Sequence, residues 1–533
     1  MKNVPYLFSP QAYGQRLGEE IRYGLLKLWF SSPFYRRWLN AKAPFQLNPA
    51  LKEVWPGNHS LGLSILHGES PFAIPGGDTF DWLRDLHALK SHGAHVTAQT
   101  LIAEWVDKNR NWQEESWAPA AIGTRLANWV NHSEFILTDA PDYFIKGFLS
   151  FAARQAKHLN KTFNFACDGA ERISALTGLI LWNIAANVPE EIRLRTLKAL
   201  EKEIMRQIYP DGCHVSRSPE ILLKVLRNFI DIRTALKIIG AEVPLALESA
   251  IDRMTPMIRF FRHGDGGLAL FNDTTEADPE FIDHILSHAN AQGKPLGAAP
   301  HTGFQRLRAG RTVILKDCGR PAFIDDKHTH AGMLSFEMSY GKERLIVNCG
   351  AYRGPDLEWR RVQKATAAHS TIAIDNRNSF ALKMNGHIGR RPKEVGSNRE
   401  EEANNILVEA HHDGYRSRYG IIHQRRIYLA ASGEDVRGED TLIGPGGRDF
   451  ILRFHLHPLV QCSIIQNGEA ALLKLHSGNG WRLRVAGGLL CEEPSIYFGN
   501  LGQPRRSLQL VVQGLTKEGS TVIKWGLSHI GKY

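Results

Sequence analysis

Along roughly the first 295 residues, apolar positions recur at helical spacing. Ile192, Leu194, Leu197, Leu200, Ile204 and Ile208 fall largely on one face at intervals of three and four. The segment that follows carries its own punctuation, with Ser218 as N-cap, Pro219 at the first helical position, Glu220 in the first turn and Gly240 as the stop. Within it Ile221, Val225, Ile232, Leu236 and Ile239 give an apolar face. Segments 80–90, 97–107, 120–137, 141–158, 171–186 and 246–262 also read as helices. Short loops between helices of this size predict antiparallel pairs, as in a bundle, solenoid or toroid.

After about residue 300 the period falls to two. In SFEMSYGKERLIVNCG, Phe336, Met338 and Tyr340 alternate with Ser335, Glu337 and Ser339. Gly341 and Lys342 form a turn, and Leu345 and Val347 lie on the returning strand. RTVILKDCG, STIAIDN, HQRRIYLAA, ILRFHLHP, WRLRVAG and SLQLVVQG read as further strands. Many short strands with Gly, Asn and Asp turns predict an antiparallel sandwich or barrel. Helices first and strands second is a multidomain α-then-β chain, not an alternating α/β fold. The pattern divides it into a helical extension over 1–75, a helical domain over 76–297 and a strand-rich domain over 298–533, with the border inside GKPLGAAPHTG.

Composition narrows the class. The chain has 533 residues, 43% hydrophobic and 23% charged, which is ordinary for a globular protein and long enough to bury a large core. No apolar run approaches the ~20 residues of a membrane span. The N-terminus lacks a convincing secretory signal, and the six cysteines are scattered without a CxxC pair. These features lean towards a cytoplasmic protein without a disulfide framework. The 65 Lys plus Arg exceed the 55 Asp plus Glu by 10. The surplus is dispersed and accompanied by no nucleic-acid-binding signature, so nucleic acid is not the expected partner. Nine of the twelve tryptophans precede residue 183. Their faces suit helix packing or stacking on sugar rings.

Three stretches carry candidate chemistry. In KHTH, residues 327–330, an extended chain would aim His328 and His330 at one site. With Asn348 and His369 from neighbouring strands they form a candidate zinc- or calcium-like shell. Spacing alone is a weak guide, because a second HxH pair, His455 and His457, occurs among the 23 histidines. In YPDGCHVSRSPE, Asp211 and Gly212 make a turn before His214, Arg217 and Ser218. Arg217 has the geometry to clamp a carboxylate. In DWLRDLHAL and RLANW, Arg84, His87, Arg125 and Trp129 sit on helices, suited to an anionic sugar or to helix–helix contacts. No GxGxxG, P-loop or GxSxG element is present, and GDGG at 264–267 reads as a turn.

HTHAGMLSFEMSYGKERLIVNCGAY followed by ATAAHSTIAIDN resembles the C-terminal module of the heparinase II/III family, and RQIYPDGCHVSRSPEILLKVL resembles its link between helices. The resemblance covers roughly residues 75–530. It implies an incomplete α/α toroid followed by an antiparallel β-sandwich, and polysaccharide lyase chemistry on uronic-acid-containing glycans. Such enzymes neutralise the uronate carboxylate, withdraw the C5 proton and protonate the departing O4. Carried over by position, His328 matches the catalytic histidine of the sandwich module. His330, Asn348 and His369 match a structural metal site, with zinc favoured. Asn348 stands where Asp is common.

Three positions depart from the family pattern. FNFACDGAERISALTGL, with Asp168, Gly169 and Arg172, lacks the Asn-His pair. Ile221 stands at the catalytic Tyr position, and Gly332 replaces the Asp of H-x-H-x-D. Either Tyr209, His214, Arg217 and Arg172 take over, or the chain binds glycan without cleaving it, as a divergent protein of envelope or exopolysaccharide metabolism. An acidic polysaccharide is the implied partner, with positive charge expected around Arg84, Arg125, Arg172 and Arg217. The family resemblance also admits a periplasmic location.

Overall fold

The structure is a computed structural model that describes residue 24 and residues 26–73, 76–165, 167–384, 386–500 and 502–532. The reading of the extreme N-terminus lies outside the described residues. Two compact units divide the chain. One comprises residues up to Gln207 together with Arg227–Ser249; the other comprises Ile208–Leu226 and Ala250 onward. The strand-rich unit therefore takes in more of the chain than the period-two pattern indicates, because 208–226 and 250–297 cluster with it. No helix among the described residues is long and apolar enough to cross a membrane.

The first unit is built of helices, among them His92–Lys108, Pro119–Asn131, Asp142–Thr162, Gly169–Ala185 and Glu190–Gln207. Pro119–Asn131 and Gly169–Ala185 cross through glycine. A Cβ on Gly178 would lie 1.9 Å from the Gly123 carbonyl oxygen, so only glycines permit this approach. Helix Pro219–Ile238 begins as the sequence indicates, with the Ile221 amide donating to Ser218 Oγ at 3.4 Å.

The second unit holds two antiparallel sheets. The strands are β1 (Ala298–Ala299), β2 (Phe304–Ala309), β3 (Thr312–Asp317), β4 (Phe336–Tyr340), β5 (Glu343–Val347), β6 (Ile372–Ile374), β7 (Val395–Glu402), β8 (Asn405–His412), β9 (Ile422–Leu429), β10 (Asp435–Gly444), β11 (Asp449–Leu456), β12 (Gln461–Ile465), β13 (Ala470–Lys474), β14 (Asn479–Ala486), β15 (Leu489–Tyr497), β16 (Arg505–Leu515) and β17 (Gly519–Lys532). One sheet runs β1-β2-β3-β4-β5-β11-β16-β15, with β6 on β11; the other runs β12-β13-β14-β17-β10-β9-β8-β7. Their inner faces share one apolar core, in which the Phe336 and Trp525 rings stack at 5.3 Å.

The β4–β5 hairpin forms where the alternation places it, but its polar face is also buried. Glu337 accepts from His263 Nε2 at 2.9 Å and from the Leu270 and Asn348 amides, and Ser339 pairs with His263 Nδ1. Alternation therefore marks the strand here but not its solvent side.

Candidate active site

The KHTH run is not extended. Asp326–His328 is a 3₁₀ turn, so His328 and His330 diverge. Asp273 Oδ2 takes the His328 Nδ1–H at 2.8 Å, while Asp325 Oδ1 lies 3.9 Å from Nε2, beyond hydrogen-bond range. The His328 side chain keeps 20% exposure, whereas Asp325 keeps 2%. Arg353 bridges Asp273 at 3.1 Å and Glu220 at 2.8 Å. Burial alone would raise the Asp273 carboxyl. The His328 hydrogen bond and the Arg353 charge outweigh it and hold Asp273 well below the usual carboxylate range. The result is an imidazole oriented through Nδ1 by Asp273.

His214 belongs to the same neighbourhood. Burial pushes it down to about 4, with the Asp325 charge opposing and the His328 charge adding to the shift. It is therefore a neutral ring at pH 7, held through Nδ1 by Ser216. Tyr209 is partly buried. Burial raises its phenol, and the Arg217 charge partly offsets this. Asp211 Oδ2 accepts from the His301 and Thr302 amides, and Gly212 turns the chain at φ 87°.

Arg217 does not serve as a substrate clamp. Its guanidinium is buried, paired with Asp317, donating through Nε to the Thr302 carbonyl and lying over the Phe304 ring at 4.6 Å. Arg217, Asn272, Asp273, Asp325 and Leu334 all have φ between 49° and 60°. Of these, Asp273 and Asp325 lie against His328, and Asp takes up the left-handed conformation more readily than most residues. Asn272 ties two of these loops together, donating to the Arg217 carbonyl and accepting from the His330 amide.

Asp273, Arg353, Asp325 and Asn272 were not singled out from the sequence. An Asn-Asp pair after the apolar run LALF signals a left-handed turn, but nothing local indicates that Asp273 meets a histidine 55 positions away.

The proposed metal ligands supply part of a shell. His369 donates Nδ1–H to the Ala365 carbonyl, leaving Nε2 as a lone pair 3.3 Å from His330 Nδ1. That separation suits two nitrogens on a tetrahedral zinc at about 2.0–2.1 Å, or a direct imidazole hydrogen bond. Asn348 has only part of its amide to offer: Oδ1 already accepts the Ser370 amide at 3.0 Å, which leaves one lone pair, and the buried Nδ2 is a donor. Gly332 has no room for the family's Asp, because a Cβ there would meet His369 Cδ2 at 2.4 Å. No cluster of three or more His, Cys, Asp or Glu side chains suited to a metal ion occurs among the described residues. The described residues thus offer two imidazole nitrogens 3.3 Å apart and one neutral amide oxygen, with no charged ligand, which is a weak donor set for a structural metal.

In the helical unit the predicted sugar-binding residues are mostly committed to the fold. Arg125 is fully buried. Its donors go to the Asp78 carbonyl, Gln155 Oε1 and the Ser116 carbonyl, and it lies 4.1 Å from the Trp105 ring centroid. Trp129 packs against Phe80 and Phe148 in the core. Arg172 pairs with Glu203 and donates to the Cys167 carbonyl. His87 lies at the surface, stacked on Phe135 at 4.7 Å. Arg84 is partly buried, and its charge acts on Glu53, Asp85 and Asp231. Burial, then the Glu53 charge, raises Asp231 to about 7 while Trp55 Nε1 donates to it at 2.8 Å. This carboxylate pair, with Arg84 and Arg227, also went unnoticed in the sequence.

Profiles for the heparinase II/III N-terminus and the heparinase II/III-like C-terminal region match residues 93–291 and 291–526. FtsZ-localized protein C of Caulobacter vibrioides is 30% identical over 470 residues, covering 84% of this chain and 80% of its own. The chain belongs to the heparinase II/III family. Among solved structures of that fold, Heparinase III superposes with a TM-score of 0.71 at 13% identity, over 100% of this chain and 93% of its own. Heparan sulfate lyase HepC from Pedobacter heparinus gives 0.60 at 17% identity, over 85% and 76%. The heparinase II/III C-terminal match contains His328, His330, Asn348 and His369. The N-terminal match contains Arg125, Trp129, Arg172, Tyr209, His214 and Arg217, whereas Arg84 and His87 precede it. The fold is thus that of the polysaccharide lyases, a helical toroid followed by a β-sandwich.

Proposed function

We propose that the chain cleaves a uronic-acid-containing glycan by β-elimination, with His328 as the base that takes the C5 proton. The observation that carries this reading is the His328–Asp273 pair, with Nδ1 held by a half-buried carboxylate, Nε2 3.9 Å from Asp325 and the imidazole side chain 20% exposed. Asp273 stays ionised and stabilises the imidazolium as the proton arrives, which is the role of the carboxylate in a hydrolase triad. His214 remains neutral and Tyr209 remains protonated at neutral pH, so a phenol proton is available for the departing O4. Incubation with a panel of acidic polysaccharides, read by the absorbance of the unsaturated uronate product, tests the proposal. Growth of that band with at least one polymer supports it, and silence with every polymer rejects it.

A second reading is favoured by the Caulobacter relative, whose name records localization with FtsZ. Here the chain is a divergent glycan-binding protein of the envelope. Arg125, Arg172 and Arg217 are all spent on internal partners, which removes cations that would neutralise a uronate. Glycan binding with no unsaturated product would select this reading.

A further inference from the structure

We infer that the outer face of the β14-β17-β10-β9-β8 sheet carries an accessory site for an anionic sugar residue, centred over Gly526. None of the residues lining it belongs to the His328 centre. Along each strand every second side chain points out of the sandwich. Cross-strand register places Leu407, Tyr428, Arg437, Gly526 and Arg484 in one outward row. The neighbouring row is Glu409, Arg426, Glu439 and Lys524, which alternates in sign. It neutralises itself: Arg426 pairs with Glu409 and reaches Glu439 at 4.0 Å, and Lys524 reaches Glu439 at 3.7 Å.

The Gly526 row is different. Arg437 and Arg484 flank a position with no side chain; of the two acids lining the groove, Asp435 is paired with Arg437 at 2.6 Å and Glu439 lies within reach of Arg426 and Lys524. The gap opens a groove of about 520 Å³, lined also by Val485, Ala486, Leu527 and Ser528. Gly526 is not required by its backbone. It has no left-handed φ, and a Cβ there would meet only the Val436 carbonyl oxygen at 3.7 Å. A strand-interior glycine without a conformational reason marks a place where something approaches the backbone closely. Arg484, across the gap from the Asp435-paired Arg437, suits a carboxylate or sulfate, and Tyr428, with Arg437 5.8 Å from its ring centroid, gives a flat surface beside it. The site lies inside a sheet, away from any free strand edge, so it does not invite an extended peptide by β-augmentation. A pyranose ring with its acidic substituent seated over Gly526 fits both the apolar floor and the cationic flanks.

Calorimetric titration of the full chain carrying His328→Ala isolates this site from the catalytic centre. The probes are a heparan sulfate hexasaccharide, an oligogalacturonate of equal length and a poly-glutamate peptide. The inference predicts that at least one of the two glycans binds. It also predicts that Gly526→Val, which fills the groove with a strand-favouring side chain, and Arg484→Ala each weaken that binding by about tenfold or more with the thermal midpoint kept. Binding unchanged in both variants, binding of neither glycan, or equal binding of poly-glutamate would overturn it. Absence of elimination by the wild-type chain leaves this inference standing if the Gly526-dependent binding is present, so its failure and that of the lyase reading are separable.

Discussion

Two His-x-His pairs with identical spacing meet opposite fates. In the first, His328 ends a 3₁₀ turn with Nδ1 held by Asp273 and Nε2 3.9 Å from Asp325 Oδ1. In the second, His455 sits inside β11 with both nitrogens used, Nδ1 on Ser495 Oγ at 2.8 Å and Nε2 on the Ala367 carbonyl at 2.9 Å. His457, beyond the strand, lies 3.6 Å from Glu276. The contrast teaches that an imidazole has chemistry to offer when the fold satisfies one of its nitrogens and leaves the other accessible. Spacing in the sequence does not decide that.

Acid should expose the buried class first. His132, His158, His214 and His455 are pushed by burial to about 4, 3, 4 and 3. A histidine whose folded value is depressed binds its proton only on unfolding. Stability is therefore full above the unfolded value near 6.5 and falls as pH drops below it, by about 1.4 kcal/mol per pH unit for each such residue. Denaturant midpoints measured from pH 7.5 to 5 should fall steeply, and His455→Gln should flatten the slope by close to one proton. Removing the orienting carboxylate is the next largest effect. Asp273→Asn should cut the eliminative rate about a hundredfold with little change in KM, because the amide no longer fixes the tautomer. His455→Ala should instead destabilise the chain by about 1–3 kcal/mol, read by chemical denaturation, while the rate per folded molecule is kept. The smallest effect concerns metal. Because no third His, Cys, Asp or Glu joins His330 and His369 among the described residues, chelator treatment should move the thermal midpoint by no more than the scatter between replicate scans, and elemental analysis should find well below one equivalent of zinc.

The order of helices then strands was legible in the periodicity, and the start of helix Pro219–Ile238 in its punctuation. Several strands were not. The sequence VGSNREEE of β7 has no apolar residue after Val395, so a two-residue period has no contrast to show. The pairing of His328 with Asp273 was not legible, because Asp273 lies on a loop 55 residues away. The cations expected to line a sugar cleft are instead consumed inside the fold at Arg125, Arg172 and Arg217. A positive residue in a sequence does not announce whether its counter-charge or carbonyl is internal. Gly332 read as a departure from the Asp of H-x-H-x-D; in the fold a side chain there would run into the His369 ring.

The central claim is that His328, held by Asp273, abstracts a proton from a uronate. Wild type and His328→Ala, matched for thermal midpoint and incubated with the polymer that gives the strongest signal in the polysaccharide panel, test it through growth of the unsaturated uronate absorbance. The account predicts a steady rise for the wild type and a rate lower by about 10²–10⁴ for the variant. Equal rates in the two proteins would contradict it.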